Sequence, residues 1–438
     1  MFIKQRMLAA ALGSLVVIGS ALVSIAPASA GSGPVPPTPV PGTAYVVDGE
    51  THTLWAIPPG GGERVAVADL SGLTINDPNC ADNYQWGAAV LGNYVYWPDN
   101  QCGGIFRTSV LTGQTNEVMA AGYQGAYSYG YITTDPYGNV WATADNAMLV
   151  EFPAATGQPV VYQTTGASFD SGSGIAWSQG YLYVEGTTIQ RFADGPSSSW
   201  SSPIGLASYA TIPGAVSNWS DHGFTADGAG NLFLSNYNNI YEVSASTQAT
   251  TLVPQSCTTQ GIENLTYWTG HLYFSSWRPG YVCEFSSDLS AASVYSTTAN
   301  PSLDNSYSIT SGWNSAQFNP EDFGFYRAPT TVSPLDVRVN QVASTVSATW
   351  SNTGNFVCTL MYGFTTPSSF TERVNGTSCT FTNFSPTTPY GIRVSGVGGG
   401  SVTSFEYAAP TTITCVRARH YRRVTAINPV CLMGWRRR

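Results

Sequence analysis

The sequence predicts an all-β protein: a six-bladed β-propeller, then a small β-sandwich, then a short basic tail containing a disulfide. Three observations predict it. Aromatic residues form 13% of the 438 residues and charged residues only 10%, with Gly, Ser and Thr abundant. Long amphipathic helices need Glu, Lys, Ala and Leu on their wet faces, whereas strands take Thr, Tyr, Trp and Val. One short strand pattern returns six times between residues 43 and 285, and the pattern changes near residue 328 and again near residue 411.

The repeat is a turn residue followed by alternating bulky side chains. It reads TAYVVD at 43–48, NYVYW at 93–97 and NVWAT at 139–143, then YLYVE at 181–185, NLFLS at 231–235 and HLYFS at 271–275. The glycines before it are Gly42, Gly92, Gly138, Gly180, Gly230 and Gly270, giving steps of 50, 46, 42, 50 and 40 residues. A unit of roughly 40–50 residues made only of strands is a propeller blade. Blade 3 reads as an inner strand at 129–134, a turn at 135–138, then strands at 139–143, 148–152 and 159–163; blade 5 repeats it from 223 to 253. Asp99, Asp135 and Asp227 read as turn residues, because a tight turn needs a side chain that caps its own backbone. Blade 1 has no inner strand before Thr43. A closed ring leaves no open edge, so the missing strand must come from residues 306–312 or 322–326, and the propeller should end near Arg327.

The pieces TTDPYGNVWAT (133–143) and TADGAGNLFLS (225–235) carry a family resemblance. They resemble the repeats of NHL-type, gluconolactonase-like and streptogramin-lyase-like propellers, which implies the six-bladed fold over residues 43–327. Binders and enzymes share this motif, so the resemblance does not select an activity.

Residues 1–30 read as a secretory signal: Lys4 and Arg6, an apolar run at 7–25, then the A-x-A box at 28–30. Residues 31–42 form a Pro-rich linker. The eight cysteines suit an exported chain and fall into sequence neighbours: Cys80 with Cys102, Cys257 with Cys283, Cys358 with Cys379, and Cys415 with Cys431. Neighbour pairing is the simplest connectivity, although sequence alone does not derive it. Of the 17 Lys and Arg, two lie in the signal and seven between Arg417 and Arg438, leaving eight against all 26 carboxylates, a body near −18. An acidic body argues against a nucleic-acid groove on the main domain.

Residues 328–410 carry short strand patterns at 336–340, 346–350, 356–363, 378–384, 390–397 and 404–407, which make a small sandwich. With Trp350 closing the second strand and FSPTTPYGIRVSGV at 384–397, the segment resembles a fibronectin type III domain. The resemblance implies that Tyr390 is a tyrosine-corner residue. Cys358 and Cys379 depart from that family and read as a staple between the third and fifth strands. Residues 411–438 form a basic C-terminal module. Ile413-Thr414-Cys415-Val416, Arg422-Arg423-Val424-Thr425, Asn428-Pro429, Cys431 and Gly434-Trp435-Arg436 resemble a signature of secreted Gram-positive bacterial proteins, with Arg where that signature has Lys.

In propellers the reacting groups sit where inner strands open onto the channel. Aligning those strands brings Trp86, Tyr129, Ser173, His222 and Glu263 to one level. His222 and Glu263 come from adjacent blades and could meet as an acid–base pair, with Asp221 orienting the imidazole; a channel His bonded to a carboxylate is also a common structural device. No cofactor or metal site is assigned, since only Glu263 and Asn264 stand where a ring of oxygen ligands would need them. The leading reading is a secreted or cell-surface binding protein, probing carbohydrate or another extracellular ligand with Trp86, Tyr129, Trp219 and Trp313; filling the wedges between blades is the other use for such aromatics. The competing reading is a hydrolase or lyase. Arg417, Arg419, Arg422, Arg423, Arg436, Arg437 and Arg438 suit an anionic partner, whether a cell-wall polymer, lipid headgroups or nucleic acid, or simply a tail that is solvated or recognised by a processing system. The chain reads as a monomer without a transmembrane segment once the signal is removed.

Overall fold

The computed structural model describes residues 35–48, 51–70, 87–99, 103–120, 122–153, 158–166, 169–170, 172–193, 204–205, 207–211, 223–236, 239–254, 257, 260–278, 281–296, 320–329, 332–333, 335–340, 345–362, 366–382, 390–396, 401–406, 411–418, 420–426, 431 and 433–438. All of them belong to the compact unit Ser32–Arg438. Every regular element among them is a strand.

Six sheets follow the six repeats, each with four antiparallel strands ordered from inner to outer; in blade 3 a fifth short strand, Ile204–Gly205, pairs parallel with the outermost one. Blade 2 runs Ala89–Leu91, Tyr94–Asp99, Gly104–Ser109 and Thr115–Met119; blade 3 runs Tyr129–Thr134, Val140–Ala144, Met148–Phe152 and Val160–Thr165. Blade 4 comprises Ile175–Ser178, Tyr181–Val184, Thr188–Ala193 and Ala207–Thr211. Blade 5 comprises Phe224–Ala226, Leu232–Asn236, Asn239–Val243 and Thr250–Val253, and blade 6 Gln260–Trp268, His271–Arg278, Tyr281–Phe285 and Ala292–Ser296. Blade 1 is composite. Its inner strand is Pro320–Phe325, paired antiparallel with Ala44–Asp48 and followed outward by Thr53–Ile57 and Val65–Asp69. The other closing segment considered, 306–312, lies outside the described residues.

The ring itself is visible in the packing. Each inner strand abuts the next in cyclic order, from blade 1 through blade 6 and back to blade 1. Six separate apolar clusters fill the six seams between neighbouring blades. In the seam of blades 3 and 4, fully buried Trp141 stacks on Tyr162 at 6.2 Å and meets Phe192 edge-on at 6.3 Å. Burying one such ring contributes about 2–3 kcal/mol. Where the inner ends of adjacent blades touch there is no room for a Cβ at some positions, which explains glycines such as Gly87. A Cβ on Gly87 would sit 2.8 Å from the Ile132 amide nitrogen of blade 3.

The turns at Asp135 and Asp227 obey the sequence reading, whereas Asp99 is the last residue of the blade 2 strand Tyr94–Asp99, paired with Gly104. Asp135 accepts hydrogen bonds from the Tyr137 and Asn139 amides, both at 2.9 Å, and from the Asn139 side chain at 2.6 Å. Asp227 does the same for Ala229 and Asn231.

Beyond the propeller, Asp336–Asn340, Thr345–Thr349 and Ser378–Thr382 form one sheet; Thr366–Asn375, Asn355–Tyr362, Tyr390–Gly396 and Ser401–Glu406 form another. Their inner faces share one core, in which Trp350 packs edge-on against Phe356 at 5.2 Å. The strand Thr366–Asn375 has no counterpart in the sequence reading, because TPSSFTERVN is polar and lacks a clear alternation. Cys358–Cys379 joins the two sheets, Cys257–Cys283 lies in blade 6 territory, and Cys415–Cys431 staples the last module. Cys80 and Cys102 lie outside the described residues, as does the Tyr390 side chain. Residues Thr411–Arg417, His420–Ala426 and Arg436–Arg437 make a three-stranded sheet with the first strand central.

Candidate functional site

A cavity of about 720 Å³ runs along the ring axis, lined by all six inner strands and the turns that end them. Its turn-side end is aromatic. Trp177 of blade 4 and Tyr267 and Trp268 of blade 6 line it half-buried, each also packed against the apolar cluster of a seam between blades. Trp268 lies flat on Phe325 at 5.3 Å and 13°, and Tyr267 lies flat on Phe233 at 5.9 Å and 4°, so neighbouring rings hold both indole and phenol planes in place. Burial first, and nearby Asp227 second, raise the Tyr267 pKa, which keeps its hydroxyl a hydrogen-bond donor.

The polar part of the lining is mainly uncharged. Thr133, Thr225 and Thr266 sit at one level on blades 3, 5 and 6, and the Thr225 hydroxyl accepts from the Tyr267 amide at 3.3 Å. Asp135 and Asp227 reach the rim, but their carboxylates are committed to their own turns. Arg327 is the only cation among the described lining residues, its guanidinium 4.7 Å above the Trp268 ring. Asn355 of the sandwich also lines this end.

The sequence points to the opposite end, where the inner strands begin. His222, Asp221, Trp86, Trp219 and Trp313 lie outside the described residues. Glu263 is in the inner strand of blade 6, where the pairing register slips between Ile262 and Leu265, and its side chain is not among those described. Tyr129 requires a correction. It is fully buried in the seam of blades 2 and 3, with its hydroxyl donating to the Ala126 carbonyl at 2.9 Å, so it offers no ring to a ligand. A register slip between Tyr129 and Ile132 turns it away from the axis.

One residue at the strand-start end escaped the sequence reading. Five residues after the repeat glycine, blades 5 and 6 carry Ser235 and Ser275, which accept from the Gly223 amide at 2.9 Å and the Asn264 amide at 3.0 Å. Blade 4 has Glu185 there, its own amide donating to the Gly174 carbonyl at 2.9 Å. The side chain is too long for the serine's task. Its Oε2 is buried without a hydrogen-bond partner, next to Gly174, where a Cβ would come within 3.1 Å of it. Burial pushes its pKa up to about 8. The signal was present as the acidic ending of YLYVE at the position where NVWAT, NLFLS and HLYFS end in Thr or Ser.

Among the described residues no group of three or more His, Cys, Asp or Glu stands together as a metal cluster. Six of the seven tail arginines are described and exposed; Arg419 is not described.

No protein-family model and no curated protein matches the chain. Among solved structures, a chain of a nidogen/laminin complex is similar at 14% identity and a TM-score of 0.42, over 58% of this chain and 96% of that one. A gluconolactonase from Xanthomonas campestris is similar at 17% identity and a TM-score of 0.39, over 53% of this chain and 79% of that one. Both likenesses are too loose to carry over a residue's role.

Proposed function

We propose that this chain is an exported binding protein that takes a saccharide in the aromatic end of its propeller channel. The observation behind this reading is the lining itself: a 720 Å³ cavity with half-buried Trp177, Tyr267 and Trp268 beside threonine hydroxyls. Ring faces stack on sugar C–H groups while hydroxyls and amides bond the sugar hydroxyls. Arg327 at the rim adds a donor for a hydroxyl or a carboxylate. The disulfides support export into an oxidising compartment. Residues 1–30 are the export signal in this reading and residues 43–327 the propeller domain. Residues 328–410 are a fibronectin type III domain, supported by the three-plus-four strand order and the buried Trp350.

The test is a glycan panel titrated against the full chain, with tryptophan fluorescence and calorimetry as readouts. At least one oligosaccharide should bind, and Trp177→Ala and Trp268→Ala should each weaken it by tenfold or more while the melting temperature holds within a few degrees. A panel with no binder, or one whose binding ignores both substitutions, refutes the reading.

A second reading, a hydrolase or lyase acting through His222 and Glu263, is favoured by Glu185. An unpartnered carboxyl that keeps its proton near neutral pH, at the end where those inner strands begin, suits acid–base work. Turnover of a lactone, ester or glycan that vanishes in folded His222→Ala would replace the binding reading with this one.

A further inference from the structure

The last module has a charge distribution that the propeller does not use. Its three strands carry Arg417, Arg422, Arg423, Arg436, Arg437 and Arg438, all exposed, and residues 411–438 contain no Asp or Glu. Register assigns them to both faces. Cys415 stands opposite Arg422 on one side and Arg437 on the other, which puts these two arginines on one face. Val416 stands opposite Tyr421 and Arg436, and Thr414 opposite Arg423, which puts Tyr421, Arg423 and Arg436 on the other. Arg438 joins this second face, its guanidinium 5.7 Å over the Tyr421 ring.

Charge alone would fit any polyanion. The apolar groups beside it narrow the choice. Met433 is 99% exposed and Tyr421 63% exposed. Gly434 packs by the Arg417 guanidinium, so the Met433–Gly434 turn lies at the same end of the sheet as the turn linking Arg417 to His420. That end therefore presents a bare thioether, a phenol and arginines together. A soluble polyanion gives such apolar groups nothing to enter. A bilayer surface does: phosphate headgroups meet the guanidinium forks while methionine and tyrosine dip into the acyl boundary.

We propose that this three-stranded sheet docks peripherally on an anionic phospholipid bilayer, tip first. Among the described residues no helix is long and apolar enough to cross a membrane. The site is independent of the channel.

The experiment is co-sedimentation of the full oxidised chain with vesicles of phosphatidylglycerol mixed into phosphatidylcholine, against phosphatidylcholine alone. Binding should appear only with the anionic lipid. Replacing Arg436, Arg437 and Arg438 by Gln should weaken partition by roughly fivefold per charge. Met433→Ser should lower the part of the binding that survives 0.5 M salt, where, at roughly this ionic strength, surface charge attraction is largely screened. Circular dichroism and the intact Cys415–Cys431 bridge establish that the variants fold. Equal binding to both vesicles, no vesicle binding, or capture by a soluble polyglycerol phosphate in preference to vesicles overturns the proposal, as does a triple variant that binds like the parent.

Discussion

Ala44 pairs with Phe325 across blade 1, so the first strand of the propeller and the last belong to one sheet. The ring is thus shut by chain ends, and every blade has two neighbours to satisfy. Inner strands of adjacent blades approach closely, and these contacts locate one place where a small change does harm. A Cβ on Gly223 of blade 5 would run into the backbone of Asn264 and Leu265 in blade 6, whereas one on Gly228, five residues on, meets nothing within 4 Å. Gly223→Ala should cost about 2–3 kcal/mol and Gly228→Ala under about 0.5 kcal/mol. Urea melts of the two variants check this, and equal midpoints would contradict the close approach.

Glu185 makes stability depend on pH in a defined direction. Its folded pKa of about 8 lies above its ordinary 4.5. Between those values the unfolded chain has released the proton that the fold still holds, so stability falls as pH rises through that window and levels off above pH 8. Glu185→Gln removes the titration. Parent and variant should melt together near pH 4, and the variant should gain by an amount on the order of a few kcal/mol by pH 8–9. Thermal melts across that range decide it; parallel curves would show that Glu185 ionises normally.

The two Asp turns look alike in sequence and differ in burial. Asp135 is 2% exposed and takes the Tyr137 and Asn139 amides, the Asn139 side chain and, at 3.3 Å, the Trp141 indole N–H. Asp135→Ala leaves these donors buried without an acceptor and should cost about 2–4 kcal/mol. Asp227 is half-buried, so water can replace its carboxylate, and Asp227→Ala should cost about 1 kcal/mol. Denaturation midpoints separate the two, and a reversed order would mean that the Asp135 network does not hold its turn.

Those turns also show why the fold was legible and the site less so. The repeat glycines, the Asp turns and the absence of an inner strand before Thr43 are local signals with one geometric solution, a ring closed by a late strand. A closing strand at 306–312 or 322–326 is expected for that reason, and the pairing of Pro320–Phe325 with Ala44–Asp48 supplies it. Facing is different, because a single bulge reverses it. The slip between Tyr129 and Ile132 sends Tyr129 into a seam, and no residue type announces that slip. The aromatic end of the channel was missed for a related reason. Trp177 and Tyr267 stand just before the turns at Gly180 and Gly270, where the repeat reads as punctuation and not as lining.

The sandwich offers a last test, of a cross-link. Cys358 and Cys379, 21 residues apart, join its two sheets through one shared core. Closing a loop of that length restricts the unfolded chain and should contribute about 3 kcal/mol. The blades lie outside that loop. Replacing both cysteines by Ala should therefore lower the melting of the sandwich while blade 6, with its own Cys257–Cys283 bridge, keeps its hydrogen-exchange protection. If protection in blade 6 falls in step with the sandwich, the two regions unfold as a single cooperative unit, and the cross-link stabilises the propeller as well.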